Sequence, residues 1–501
     1  MPKSQQKNRN WVMILSAAVS ISLSLWGIAA NESFADTASA LMAALKANYS
    51  WLYLGVMLFF VLFAVALALS PWGRIRLGAD GEKPGYSTLS WFAMLFGTGM
   101  GIGLVFWSVA EPLSHYISPM AGIAPQSAEA RAFAMRSCFM HWGIHPWACY
   151  AAMGLSLAYF QFRKGKQALI SSLLKPLWGE KGAARFANGA VDVYTIVLTA
   201  LGVATSFGMG CLQIAEGLQQ LWGIPSRTLT WIFIIALIAA VYLRSAITGV
   251  DRGIRRLSDI NLVLFAGLML LGFLVGPMGE TLKLGFRGAT EYLLHFFPDS
   301  LRMSAEGDST WIQNWRVYYW AWWLSWAPFV GIFIARISRG RTIREFVFGV
   351  MVIPTLVSVL WFSVFGSMAL RIADSFTTPV LAAMVASPET ALFHIFALYP
   401  LGWLLSLVAM ALLVTFFITS ANSATFVLAM LSSRGALEPH SSKKLFWGIL
   451  IAVAAFALIL TGGIQMIQTV SIVIAFPFLF LLLIICLSLV KALKKEQSPQ
   501  G

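Results

Sequence analysis

The sequence is poor in charge and in cysteine. Only 11% of its 501 residues are charged, whereas soluble domains carry about 25%. This shortage excludes a water-soluble enzyme, a disordered chain and a coiled coil. The four cysteines share an apolar setting and show no CxxC spacing, so we expect small buried hydrophobes rather than disulfides or a zinc motif. They are Cys138, Cys149, Cys211 and Cys486.

Long apolar runs take up most of the chain, which is 58% hydrophobic. About 20 helical residues cross the hydrocarbon core of a bilayer, and runs of that length recur about twelve times. The sequence therefore predicts an all-α polytopic membrane protein with about twelve transmembrane helices. The predicted spans are 11–30, 51–71, 88–110, 137–161, 190–212, 229–248, 258–279, 315–335, 346–370, 399–432, 445–462 and 465–490.

Basic residues are unevenly distributed between the connecting segments. The chain has 35 Lys and Arg against 21 Asp and Glu, a net charge of +14. Most of the basic residues lie in the two tails and in the connections that follow even-numbered spans. The positive-inside rule then predicts cytoplasmic N- and C-termini. Because the excess charge is spread over one face, it argues against a nucleic-acid groove.

The connection between the seventh and eighth spans, residues 281–303, alternates apolar and charged side chains. We predict an amphipathic helix that lies in the outer membrane interface. Its apolar members are Leu282, Phe286, Tyr292, Leu293, Phe296 and Phe297, interleaved with Lys283, Arg287 and Glu291.

The third span has a glycine at every second position between Gly97 and Gly103. Such a run weakens a helix and exposes backbone groups that can serve as ligands. The alternative is tight helix packing, because the same glycines form two overlapping GxxxG pairs. A nucleotide-binding loop is excluded, since neither GxGxxG nor P-loop spacing is present.

The eighth span carries five tryptophans in twelve residues. For Trp315 and Trp320 we predict places in an interfacial aromatic belt. The deeper Trp322, Trp323 and Trp326 instead suggest a cation–π box, the usual means of holding a quaternary ammonium group.

The fourth span supplies possible partners for this box in Trp142, Trp147 and Tyr150, although plain packing would also explain them. His141 and His145 are spaced one helical turn apart. They lack the glutamate of an HExxH motif and a third ligand, so a metal site is the weaker interpretation.

The tenth span contains an unusual hydroxyl cluster at residues 415–423. Helical serine and threonine often bond to their own backbone, which is one explanation. The other is an oxygen-lined cation site, in which Thr419 and Ser420 would join carbonyl groups of the glycine-rich third span.

Together these segments resemble the betaine/choline/carnitine transporter family. The resemblance rests on Gly-Met-Gly-Ile-Gly at 99–103 with Ala-Glu-Pro at 110–112, on the aromatic stretch of span 4, on Trp-Ala-Trp-Trp-Leu-Ser-Trp at 320–326 and on Ala-Arg-Ile-Ser-Arg-Gly-Arg at 335–341. It covers spans 2 to 12, and the tryptophan-rich segment with its basic tail is its most specific part.

The resemblance implies a leucine-transporter-like core of two inverted five-helix repeats, residues 88–279 and 315–490. Two peripheral helices at 11–71 would precede them, with cytoplasmic tails at 1–10 and 491–501. Spans 3 and 8 would be broken helices at corresponding positions of the two repeats, where transporter sites are expected.

The resemblance also implies the binding residues. The aromatic box falls on Trp142, Trp147, Tyr150 and Trp323, flanked by Trp322 and Trp326. The exposed backbone of span 3, at Met100 and Gly101, would hold a substrate carboxylate. One sodium site falls on Gly97, Met100, Phe416, Thr419 and Ser420. A second would use Thr199 and Phe329, but Val203 replaces a hydroxyl that the family carries, so Thr205 or Ser206 would have to substitute.

These residues suggest a Na⁺-coupled symporter. Sodium-independent members carry an arginine in span 7, where this chain has Asn261. We find no carboxylate in the middle of spans 3, 4 or 8, because Glu111 falls at the outer end of span 3 and Asp192 at the inner end of span 5. A betaine-like zwitterion is therefore favoured over choline, while carnitine stays open.

Two alternatives remain. One is a sodium-independent exchanger of the same compounds. The other, a polytopic membrane enzyme, is remote because HExxH, GxSxG and paired intramembrane carboxylates are missing. We expect no cofactor besides Na⁺ as coupling ion, and no nucleic acid partner. The resemblance implies a bacterial inner membrane protein and leaves a homotrimer open.

Overall fold

The computed structural model describes residues 11–99, 101–179, 181, 183–248 and 251–497, and within these ranges it contains helices and no strand. The helices are α1 Trp11–Ala29, α2 Asn31–Leu69, α3 Thr88–Gly99, α4 Ile102–Ile117, α5 Ala128–Trp142, α6 Ile144–Ala158, α7 Ile170–Trp178, α8 Ala183–Trp222, α9 Thr228–Thr248, α10 Asp251–Val275, α11 Met278–Leu294, α12 Phe296–Leu301, α13 Val317–Ile337, α14 Ile343–Ala373, α15 Thr378–Ala386, α16 Pro388–Ala397, α17 Gly402–Ser432 and α18 Ser441–Gln497.

All twelve predicted spans are present as helix. Nine helices of the described chain are long and apolar enough to cross a membrane. One of them, α18, contains two spans, because its backbone leaves the helical region at Gly462 and Gly463, where φ is +56° at the second glycine. The third and fourth spans are each divided into two shorter helices. The chain is therefore an all-α polytopic membrane protein.

The third span is interrupted at its glycine run, as the broken-helix interpretation predicted. Helix α3 ends at Gly99, and α4 begins after Gly101, whose φ of −149° and ψ of −150° are extended. No side chain caps the first turn of α4. Free N–H groups at such a terminus attract negative charge.

The predicted break in span 8 is wrong. A π-helical turn, Ile312–Arg316, leads directly into α13, which continues through Pro328 to Ile337. This span has no glycine run, and a single proline is tolerated in a helix surrounded by other helices. The break occurs instead in span 4, where Gly143 (φ −97°, ψ −131°) separates α5 from α6.

The amphipathic segment forms α11 and the short α12. Leu282, Phe286 and Leu293 are exposed, which agrees with an apolar outer face. Tyr292 is buried instead, and its hydroxyl accepts a hydrogen bond from the Ile144 N–H at 3.0 Å. This contact ties α11 to the break in span 4. The placement of α11 in a membrane interface stays a prediction.

Three helices were not predicted, and the first of them, α7, lies between spans 4 and 5. Residues between spans 9 and 10 form α15 and α16, each of ten residues or fewer, which is too short for detection from apolar run length. Leu392, Phe393 and Phe396 of α16 are buried. The prediction that the four cysteines are buried and unpaired is confirmed.

Candidate substrate and ion site

Four of the predicted aromatic residues meet in the interior. We call Trp142, Tyr150, Trp322 and Trp323 the aromatic cluster. The Trp142 ring is nearly perpendicular to those of Trp323 and Trp322, with centroids 4.9 and 5.8 Å apart. Tyr150 stands edge-on to Trp323 at 6.2 Å, and Trp322 and Trp323 are parallel at 4.9 Å. All four are at least 96% buried, so they could hold a cation away from water.

The break in span 4 contributes to this arrangement. Trp142 is the last residue of α5, while Tyr150 lies in α6 beyond Gly143. Trp147 is nearly perpendicular to Tyr150, with ring centroids 5.5 Å apart. Trp147 is thus a neighbour of the aromatic cluster through Tyr150.

Backbone carbonyl groups fix the orientation of the span 8 indoles. The Trp323 Nε1–H donates to the His141 carbonyl at 2.8 Å, and the Trp326 Nε1–H donates to the Gly202 carbonyl at 2.8 Å. Trp326 packs against Phe329 at 5.5 Å. The Trp326 indole is thereby tied to α8, while its role in flanking the box stays a prediction.

Three aromatic neighbours were missed, one of which is Tyr318, stacked on Trp322 at 5.7 Å. Tyr319 stacks over Trp323 at 6.0 Å, and Phe362 of α14 contacts Trp142 at 5.6 Å. Tyr319 is one helical turn before Trp323, so its helical face could have indicated the contact. Phe362 lies in an ordinary apolar run and gave no signal.

The first turn of α4 lies directly against the aromatic cluster. A Cβ at Gly103 would stand 2.3 Å from Trp322 Cη2 and 3.3 Å from Trp142 Cη2, so only glycine fits there. The uncapped helix terminus at Gly101 is two residues away. Aromatic rings and the start of a helix are thus neighbours, a pairing that suits a molecule with a positive and a negative end. Met100, which was predicted to contribute here, lies outside the described residues.

Glu111 corrects the expectation that no carboxylate lies beside the box. Its side chain is fully buried and accepts the Trp142 Nε1–H at 2.8 Å. His141 Nδ1 approaches the other oxygen at 2.7 Å and His115 Nε2 at 3.2 Å, and the Tyr319 hydroxyl also donates to the carboxylate. The place of Glu111 along span 3 suggested that it lies at the outer end, away from the aromatic residues. However, α5 packs against α4 and brings Trp142 to Glu111.

The belt and metal interpretations of span 8 and span 4 can also be judged. Trp320 is wholly buried and stacks on His145 at 5.0 Å, so its predicted place in an interfacial belt is wrong. His145 Nε2 pairs with the Ser300 hydroxyl at 2.9 Å, whereas His141 faces Glu111. The two histidines therefore do not converge on a shared ion.

Three other side chains lie close enough together to be considered as metal ligands. Donor atoms of Glu111, His115 and Cys138 lie within 4.8 Å of one another, a spacing that could suit a metal ion. Both oxygens of Glu111 already accept two hydrogen bonds each. The arrangement therefore fits a hydrogen-bonded carboxylate better than a metal ligand.

The predicted sodium residues of span 10 face the break in span 3. A Cβ on Gly101 would lie 3.9 Å from Ser420 Oγ. Phe416, Thr419 and Ser420 line a cavity of about 180 Å³ together with Ala93 and Met94 of α3. Gly97 belongs to the same helix, α3. The span 10 half of the predicted site thus lines a cavity beside α3, and the sodium site stays a prediction.

The hydrogen bonds of Thr419 agree with both explanations of the hydroxyl-rich segment 415–423. It donates to the Thr415 carbonyl at 2.9 Å, as the backbone-bonding explanation predicted. It also accepts the Asn261 amide at 3.0 Å, and the amide oxygen of Asn261 is buried without a hydrogen-bond partner. A free buried oxygen beside a hydroxyl is compatible with a cation ligand.

The residues predicted for the second sodium site contact different groups. Thr199 Oγ1 donates to the Thr195 carbonyl of its own helix at 2.7 Å, and Ser206 Oγ accepts the Trp322 Nε1–H at 3.4 Å. Phe329 lines the cavity of the first site. The three residues have separate partners, and the site stays a prediction.

Comparison with known proteins identifies the family. A model of the betaine/carnitine/choline family transporters matches residues 11–498. The chain belongs to this family. It is accordingly a membrane transporter and not an enzyme.

Individual relatives of the betaine/carnitine/choline family agree over nearly the full length. The chain is 42% identical to the glycine betaine transporter OpuD of Bacillus subtilis (strain 168), covering 97% of this chain and 94% of that protein. It is 38% identical to the ectoine/hydroxyectoine transporter of Virgibacillus pantothenticus, with 97% of each covered. A solved Na⁺-coupled sialic acid symporter is more distant, at 15% identity and a TM-score of 0.43 over 88% of this chain and 86% of that one.

Proposed function

We propose that the protein is a secondary active transporter that couples Na⁺ entry to uptake of a betaine-like zwitterion. The observation that carries the proposal is the contact between the aromatic cluster and the uncapped start of α4. A quaternary ammonium group has no N–H to donate, so aromatic faces are its natural partners. The carboxylate of the same molecule would accept hydrogen bonds from the free N–H groups after Gly101.

A zwitterion is preferred over choline for two reasons. The site offers a partner to each charge of a zwitterion, whereas choline would leave the helix terminus without an anion. The relatives are named as transporters of glycine betaine and of ectoines, which carry both charges. Carnitine, which is also zwitterionic, is not excluded by this argument.

Sodium would bind between α3 and α17, at the carbonyl groups near Gly97 and Phe416 and the hydroxyls of Thr419 and Ser420. Several neutral oxygens in a low-dielectric setting suit a monovalent cation. Na⁺ bound there would span the break in span 3 and so favour one arrangement of the aromatic cluster over another. Coupling requires such a difference in affinity between two conformations.

We further propose two inverted repeats, residues 88–279 and 315–490, that rock against each other around this site. The termini would be cytoplasmic in a bacterial inner membrane, as the distribution of basic residues suggests. A homotrimer is the assembly to test first by mass measurement in detergent.

Equilibrium binding tests the proposal. Glycine betaine is titrated into purified protein, and tryptophan fluorescence is followed in NaCl and in an equal concentration of KCl. We expect binding that quenches or shifts the fluorescence and that is at least about tenfold tighter in Na⁺, since allosteric coupling between sites is typically 1–3 kcal/mol. Equal affinity in both salts, with counterflow of betaine in K⁺, would support the exchanger instead.

A further inference from the structure

The carboxylate of Glu111 is surrounded by hydrogen-bond donors. The Trp142 N–H and the Tyr319 hydroxyl reach Oε2, while His141 and His115 reach Oε1. Accepting several hydrogen bonds favours the charged form of a carboxylate, and four bonds offset much of the cost of burial. With both imidazoles as N–H donors, Glu111 carries a negative charge in the interior.

This charge is in direct contact with the aromatic cluster. Glu111 accepts the Trp142 indole N–H at 2.8 Å, and Trp142 lies against Trp323. Trp323 in turn donates to the carbonyl of His141, whose ring is bound to the same carboxylate. The Trp142 indole is thus bonded directly to the carboxylate, and the Trp323 indole is linked to it through His141. An indole whose N–H is bonded to an anion becomes more electron-rich, which strengthens its attraction for a cation.

A buried cation lies nearby but is separated from the cluster. The Arg316 guanidinium donates to the carbonyl of Asp299 and lies 5.3 Å from the centre of the Trp311 ring. Trp311 stacks on the His141 ring at 5.9 Å. Two aromatic rings therefore stand between Arg316 and Glu111, and the charge nearest to Trp142 is negative.

We propose that Glu111 sets the preference of the aromatic cluster for a positively charged headgroup. It does not touch the substrate. It acts through Trp142, by orienting the indole and by making its face more negative, and is a positioning residue. This inference rests on the proposed function, because it presumes that a quaternary ammonium group lies against the cluster.

The structure provides a clean way to remove the charge. In Glu111→Gln, the amide oxygen can keep the bonds from Trp142 and Tyr319. The amide NH₂ then faces His115 and His141, each of which has a second ring nitrogen that is buried and without a partner. If the proton of each imidazole moves to that nitrogen, both rings accept the amide hydrogens. The network is preserved and only the charge is lost.

The experiment compares two ligands of the same shape. Glycine betaine and 3,3-dimethylbutanoate differ only in a nitrogen or a carbon at the centre of the headgroup, so the ratio of their affinities reports attraction for the positive charge. We expect wild-type protein to prefer betaine. Glu111→Gln should lower this preference about tenfold, within the range of a cation–π contact, while affinity for the carbon analogue changes less than about twofold. Glu438→Gln, which neutralises an exposed carboxylate outside the cluster, should retain the wild-type ratio.

The outcomes separate the two claims. If wild-type protein binds both ligands equally, or binds neither, the proposed function fails. If wild-type protein prefers betaine and Glu111→Gln keeps that ratio, this inference is overturned while the function stands. Should Glu111→Gln not give folded protein, Glu111→Asp withdraws the charge by one methylene group. It should lower the ratio about twofold, and an unchanged ratio would again overturn the inference.

Discussion

The two sides of the aromatic cluster are built differently. On one side, Glu111, His115 and His141 are fully buried and joined by hydrogen bonds. On the other side, a cavity of about 180 Å³ extends from Thr419 to Asp259, which is exposed. If this cavity is the aqueous route to the proposed ion site, Thr419 is reached from the end of the molecule that bears the basic connections, and the side of Glu111 is closed. Alternating access requires a second conformation in which this difference is reversed.

The largest effect should come from the aromatic cluster itself. Trp323→Leu removes the ring that contacts Trp142, Tyr150 and Trp322, and betaine affinity should fall more than about 30-fold. Trp403→Leu is the matched control, because Trp403 lies in α17 with 64% of its side chain exposed. Titration of both variants, after thermal unfolding has shown that they are folded, checks the prediction. Unchanged binding in Trp323→Leu would remove the aromatic cluster from the site.

Cysteine labelling tests the closed and open sides directly. Ser423 lines the cavity, whereas Ser137 of α5 is 1% exposed on the closed side. We expect a maleimide to react with Ser423→Cys at least about tenfold faster than with Ser137→Cys, because reaction at Ser137 requires local opening. The four native cysteines are buried, so the background should be low.

Sodium should reduce this contrast. If Na⁺ favours the opposite conformation, its addition slows labelling at Ser423→Cys and speeds it at Ser137→Cys. Equal labelling rates of Ser423→Cys and Ser137→Cys, with and without Na⁺, would show that the two sides of the aromatic cluster do not differ in solution.

Substitution of a residue of the proposed sodium site should have a smaller effect, confined to the response to Na⁺. Thr419→Val removes a proposed Na⁺ ligand, and the Na⁺ concentration for half-maximal betaine binding should rise about fivefold to tenfold, as expected for one lost polar contact. Thr415→Val is the control, since the Thr415 hydroxyl, one turn earlier, donates to the Ala411 carbonyl at 2.8 Å. The prediction fails if both variants respond alike to Na⁺.

The smallest effect concerns Glu496, near the end of α18. Burial raises the pKa of Glu496, but hydrogen bonds from Tyr159, Lys164 and Arg163 outweigh it and hold this pKa below its ordinary value of 4.5. The contacts therefore stabilise the fold above that value, and their contribution is lost as the pH falls through the lowered pKa.

Glu496→Gln should then cost about 1 kcal/mol or less near neutral pH, typical of a partly exposed ion pair. Thermal unfolding over a pH series checks this, with exposed Glu438→Gln as control. The difference from wild type should vanish at low pH. A difference that is constant over the whole series would mean that the charge of Glu496 is not involved.

Sequence alone predicted the helical spans because the membrane demands apolar runs of fixed length. The aromatic residues of spans 4 and 8 could also be singled out, since so many in mid-membrane are unusual, and their contact with a substrate stays a prediction. They are Trp142, Trp147, Tyr150, Trp322, Trp323 and Trp326. The sequence could not show which face of span 8 is buried, so Trp320 was misplaced in an interfacial belt.

The contact between Glu111 and Trp142 was missed for a related reason. Position along a span indicates depth, but it does not show that α5 packs against α4 and brings Trp142 to Glu111. Similarly, apolar run length could not reveal α15 and α16, which are too short to span a bilayer.

Under the proposed function, a sodium gradient drives substrate accumulation. Proteoliposomes are given labelled glycine betaine, choline or carnitine with Na⁺ outside and K⁺ inside, or with equal Na⁺ on both sides. We predict accumulation of betaine above the outside concentration only with the inward gradient, and its loss in Trp323→Leu. Uptake of all three compounds at the same rate with and without the gradient would contradict sodium coupling.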